Sequence, residues 1–170
     1  NLTTRTFFAQ EVTVSGSSAP KVCAIHDKHL IVAGAPTAKN TVFYSTNLDP
    51  SSFSGTGSGS IVLPDQVVGI KSFRDDLIIF CRNSIHKLIN INDSNNIAVV
   101  PVTQNVGCLS SHSIQEIGGD LVFLSPDGIR SVAGTSRIGD VELGSVSRQI
   151  QSIISSIALA VNSFTITSAV

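Results

Sequence analysis

The chain has 170 residues, 11 Lys and Arg against 12 Asp and Glu, and a formal net charge of −1 at pH 7. With 42% apolar and only 14% charged residues, it is neither a disordered tail nor a generic polyanion-coating surface, and it is long enough to bury one good-sized core. Three cysteines without a C-x-x-C pair give neither a disulfide framework nor a zinc knuckle, and no run approaches the ~18 apolar residues of a membrane helix, so no membrane segment is predicted.

In chain order, Thr3–Val14 carries a short β-like pattern with Phe7, Phe8, Val12 and Val14, and it breaks at Ser15–Pro20. It reads as the last strand of a preceding unit. A pattern that occurs three times follows, at 23–34, 69–83 and 113–130. Each copy has an apolar approach, a polar turn, and Leu followed by β-prone residues: Leu30–Ala33, Leu77–Phe80 and Leu121–Leu124. A second extended stretch follows each core, at Thr41–Ser45, Ser84–Ile89 and Gly128–Val132. From Leu30 to Leu77 is 47 residues and from Leu77 to Leu121 is 44, the scale of one small antiparallel sheet in a propeller. A single such sheet cannot cover its own apolar faces, so neighbouring units must stack on it.

The predicted fold is therefore all-β: a single β-propeller-like region over 1–170, built of repeated antiparallel sheets. The units span about 22–60, 67–102 and 106–145. Fewer units than the about 4–8 blades of a closed propeller, and the absence of any Met, lead us to expect an incomplete propeller that is a piece of a larger protein. The Gly/Ser-rich stretch Ser51–Ser60 reads as an exposed, mobile loop, Asn90–Asn96 as a hairpin turn, and Ser125-Pro126-Asp127-Gly128 as a tight turn. One short helix is predicted at about 147–160, where Ile150, Ile153, Ile154 and Ile157 form a stripe facing a core.

His26, His29, His86 and His112 have no ligand spacing beyond the i, i+3 pair His26/His29, whose side chains are expected to diverge on a strand or turn, so all four read as turn and surface residues. Cys23 and Cys81 lie beside strand cores and read as small buried hydrophobes. Asp75-Asp76 occupies the slot of Lys28-His29 and Gly119-Asp120 in the other units, and a position accepting any turn-former is structural. Asp93–Asn96 lacks the Gly and Glu of a calcium loop, and Gly55–Gly59 lacks the Lys-Ser/Thr of a phosphate loop. With no nucleophile elbow and no visible base for the serines, no enzyme is predicted. No catalytic, cofactor-binding or metal-ligating residue is assigned, and no cofactor is expected.

Tyr44-Ser45 followed by Asp49-Pro50 and Phe53, the phrase Ser72–Phe80, and Gly107-Cys108 leading to Gly119-Asp120 and Ser125–Arg130 are fairly specific in order and spacing. As a set they resemble the propeller part of tail nozzle proteins (tail tubular protein B) of short-tailed, double-stranded DNA bacteriophages, over roughly residues 22–155. The resemblance implies a structural component of the virion tail at its distal end. It implies a homo-oligomeric ring, usually of six, that contacts the tail adaptor protein and tail fibres. It also implies a conduit through which genomic DNA is ejected without specific binding. The chain is far shorter than those proteins, which carry more blades and tube-forming insertions. The alternative is a carbohydrate-binding or protein-interaction propeller module without catalysis. A sugar site would call for clustered aromatics, and the chain has one Tyr and no Trp. Ser51–Ser60 and Asn90–Asn96 are the candidate contact segments.

Overall fold

A computed structural model describes residues 19–133, together with Ser152, Ile153, Ser155 and Ser156. Among the described residues, eleven strands form three antiparallel sheets, each a simple meander. Sheet 1 contains β1 (Val22–His26), β2 (His29–Ala35), β3 (Ala38–Tyr44) and β4 (Gly59–Val62). Sheet 2 contains β5 (Val67–Phe73), β6 (Asp76–Cys81), β7 (Ile85–Ile89) and β8 (Ala98–Thr103). Sheet 3 contains β9 (Gln115–Ile117), β10 (Asp120–Ser125) and β11 (Gly128–Ser131). The all-β reading of antiparallel sheets holds.

Two-residue turns make the units equivalent. Asp27-Lys28, Arg74-Asp75 and Gly118-Gly119 each join two strands whose flanking residues face one another: His26 with His29, Phe73 with Asp76, and Ile117 with Asp120. Asp27 and Lys28 have φ of 47° and 68°, and Gly118 and Gly119 have 61° and 78°. Positive φ at both central residues matches the twist of the flanking strands. The next turns in each unit, at Pro36-Thr37, Arg82–Ser84 and Pro126-Asp127, are also aligned.

The sheets stack face to face. Ile31, Ala33 and Val42 of sheet 1 pack against Leu77, Ile79, Cys81 and Leu88 of sheet 2 in one core. From the opposite face of sheet 2, Ile78, Phe80 and Ile85 meet Leu121, Phe123 and Val132 of the third unit in a second core. The rings of Phe80 and Phe123 lie 5.2 Å apart at 58°, a tilted pair across the second interface. Strand β6 is thus covered on both sides, and Leu77–Cys81 are all at most 4% exposed. A strand buried on both faces is selected for a continuous apolar run, whereas β10 alternates, with Leu121 and Phe123 inside and Val122 and Leu124 half-exposed. Each buried Leu, Ile or Phe contributes about 1.5–3 kcal/mol of transfer free energy.

The structure corrects several expectations. His26, His29 and His86 are buried, at 9%, 1% and 6% exposure, and only His112 is exposed. His26 and His29 do not diverge: in a two-residue hairpin, i and i+3 are direct cross-strand partners whose side chains share one face. Cys23 is exposed while Cys81 and Cys108 are buried, and all three are free thiols. Cys23 lies on the outer face of edge strand β1, whose inward phase is Val22, Ala24 and His26. The loop at 51–60 is less extended than expected, because β4 begins within it at Gly59. Thr3–Val14 and the unit end at 134–145 lie outside the described residues. So does the helix at 147–160, apart from Ser152, Ile153, Ser155 and Ser156, which are helical. Ile153, expected on the core-facing stripe, is 58% exposed.

Candidate functional site

The densest polar constellation fastens sheet 1 to sheet 2 at one end of the first core. The turn between β1 and β2 places His26 and His29 on the inner face, and both reach across the interface. His26 Nδ1 lies 2.9 Å from Ser72 Oγ on β5. His29 Nδ1 donates to the Ser45 carbonyl at 2.6 Å, and its Nε2 meets Asn92 Oδ1 at 2.9 Å. Asn47 Nδ2 donates to the same Asn92 oxygen at 2.7 Å, and Asn92 Nδ2 donates to the Asp27 carboxylate. A carboxylate can only accept, which fixes the Asn92 amide with its oxygen toward His29. Ser45 Oγ closes the arrangement by accepting from Leu30 N at 2.9 Å.

This clasp gives Asn90–Asn96, read from sequence as a contact segment, an internal role. Asp93 organises the turn: its carboxylate accepts from Asn95 N at 3.0 Å and from Asn96 Nδ2 at 2.6 Å, and the Asn96 amide holds it below the usual carboxylate range. With the turn formed, Asn92 is presented to sheet 1. The loop at 51–60 also folds on itself: Thr46 N donates to Ser52 O at 2.8 Å, and Ser58 Oγ to Gly55 O at 2.7 Å. At its end Gly59 lies against Tyr44, where a Cβ would come within 2.6 Å of the phenol oxygen.

The other titratable groups are held by burial or by local pairing. Burial pushes the Cys81 thiol up to about 12 and raises Cys108, so neither is poised as a thiolate. Ser84 Oγ lies 2.9 Å from His86 Nε2, a second Ser–His contact that sequence reading missed. Its only sequence signal is the i, i+2 spacing that sets two side chains on one face of an extended segment. Ser84 and His86 are both 6% exposed. The nearby Asp65 carboxylate is committed to the backbone N–H groups of Gln66 at 2.7 Å and Asn83 at 2.5 Å, so it does not orient the imidazole as a third member. Asp76, of the carboxylate pair, binds Lys87 Nζ at 2.9 Å across the sheet. Asp127 accepts from Nε and Nη2 along one edge of the Arg130 guanidinium, which holds its carboxyl below the usual range and staples the hairpin between β10 and β11.

Among the described residues no group of three or more His, Cys, Asp or Glu is placed to hold a metal ion, and no helix is long and apolar enough to cross a membrane. The arrangement joins sheets and closes turns. The fold defines a class, the stack of antiparallel meanders. Neither a scan against protein-family models nor a search of curated proteins finds a match for this chain.

Proposed function

We propose that this chain is a non-catalytic structural module of a short-tailed phage tail, with its meanders forming consecutive blades in the propeller part of a nozzle. The observation that carries the reading is that residues responsible for the three-segment resemblance sit at the turns and joints of a stack of similar meanders. Arg74-Asp75 and Gly119 are hairpin turns, Ser72 reaches His26 across an interface, Gly107 presses on a turn of sheet 2, and Asp127–Arg130 staples sheet 3. In such an assembly the chain contributes to a hexameric ring and contacts the adaptor and fibres, and the genome passes along it.

Apolar side chains on the two outer faces agree with continued stacking. Ile25 and Val62 on the outer face of sheet 1 are 74% and 69% exposed, and Ile117 on the outer face of sheet 3 is 61% exposed. Further units of the same kind would cover them, much as sheets 1 and 3 cover sheet 2. Immunogold electron microscopy with antibody against this chain tests the proposal. Label confined to the distal end of the tail supports it, and label on capsids alone, or on no particle, contradicts it.

A further inference from the structure

Away from the clasp, a cleft of about 430 Å³ opens where the starts of β1 and β5 meet the turn after β2 and the segment preceding β9. Its rim carries Lys21, Lys39 and Arg82, with Gln66, Ser110 and Ser111 beside them, and no Asp or Glu among the described residues lines it. These are three of the eight Lys and Arg among the described residues, which carry nine Asp and Glu. The concentration is therefore local rather than a reflection of overall charge. Two of the eight, Lys87 and Arg130, have carboxylate partners, whereas Lys21, Lys39 and Arg82 have none within 4.0 Å among the described residues. Asp65, next in sequence to the lining residue Gln66, is turned to the N–H groups of Gln66 and Asn83.

The backbone is irregular at this place. Both β-bulges that bring sheets 1 and 2 to the cleft line it: β2 shifts register around Gly34, and β5 shifts around Val68. A bulge re-aims side chains and is over-represented next to sites. Gly34 has φ of +74°, and a Cβ there would sit 3.5 Å from Lys21 Cβ and 3.8 Å from the Val67 carbonyl, so glycine keeps that wall low beside the lysine.

We propose that this cleft binds a phosphate group, either of a free phosphate ester or of a nucleic-acid backbone. Three cations at one concavity, without a carboxylate partner among the described residues, create a field that favours a polyvalent oxyanion, and the Ser111 hydroxyl and the Gln66 amide supply neutral donors to its oxygens. The site stands apart from the assembly reading: immunogold labelling can fail without affecting it.

The test uses the full chain, with inorganic phosphate followed by NMR shifts and a fluorescein-labelled oligothymidylate of about ten nucleotides followed by anisotropy. Lys21→Gln/Lys39→Gln/Arg82→Gln is compared with Lys28→Gln, a cation at the opposite end of sheet 1. The triple variant is expected to weaken binding by about tenfold or more, and Lys28→Gln by less than about twofold. For the oligonucleotide, three contacts give a log–log salt slope of roughly −2, which shrinks by about 0.7 with each cation removed. Phosphate binding without oligonucleotide binding assigns a free phosphate ester. Oligonucleotide binding that phosphate competes away assigns the nucleic-acid backbone. If neither probe binds, or if the triple variant binds like the parent chain, the proposal is overturned. Circular dichroism checks each fold, and if the triple variant does not fold, Lys39→Gln and Arg82→Gln singly carry the same comparison.

Discussion

Asn92 is the residue on which sheets 1 and 2 most depend for their polar registry, because one side chain serves His29, Asn47 and Asp27. Replacing it with Ala strands His29 Nε2 in a site only 1% exposed, at a cost of about 1–3 kcal/mol. Urea denaturation should register that loss, while Asn95→Ala, confined to the turn, should lose less. Gly107 is a different kind of constraint: a Cβ there would stand 2.1 Å from the Arg82 carbonyl oxygen and 2.2 Å from its carbon, backbone atoms that cannot rotate away. Gly107→Ala is expected to destabilise by about 1–3 kcal/mol or more, with a fall in thermal midpoint as the readout. Burial also holds His26 and His86 below their ordinary 6.5. Below 6.5 the unfolded chain then binds more protons than the folded one, so stability is full above about 6.5 and is lost as pH falls through the lower folded values. His86→Gln should flatten that acid-side slope; an unchanged slope would remove His86 from the account. None of these inward roles was legible locally. Asn92 meets His29 and Asp27 across separations of 63 and 65 residues, and a histidine in a polar stretch carries no mark of facing a core.

At the scale of elements, sequence and structure agree most closely. The Leu-led strand cores and the Gly, Asp and Pro turns are local signals, and they land on β2, β6 and β10 and on the hairpins. Even coverage was partly legible: the unbroken Leu77–Cys81 run belongs to the strand buried on both faces, and the Leu121/Phe123 alternation to the one covered on a single face. The short strands β4 and β9 were harder to see, since four and three residues hold too little periodicity to separate them from loop. Two predictions belong here. Lys28 sits at φ 68°, a region that costs an L-residue roughly 1 kcal/mol, so Lys28→Gly should stabilise the first hairpin by up to about that much in urea. Phe123→Ala should cost about 3–5 kcal/mol, since it removes a fully buried ring and its partner contact with Phe80, and it should loosen sheet 3 first by hydrogen exchange.

For the molecule as a whole, the stack follows from the repeat. A four-stranded meander with two apolar faces needs a neighbour on each, and sheet 2 has both within this chain. Sheets 1 and 3 present Ile25, Val62 and Ile117 outward, which is where the assembly reading places further blades. Two reinforced cores also suit a permanent part better than a moving one: the first is held by the His29–Asn92–Asp27 clasp, and the second by the aromatic pair. The measurement that bears most directly on this reading is quantitative peptide mass spectrometry of tails stripped from purified particles, with copy number set against the portal. The account predicts peptides from this chain in the tail fraction at a fixed ratio consistent with a hexameric ring, within a polypeptide that supplies the additional blades. Recovery of the chain solely as a free soluble protein, absent from tails, would contradict it.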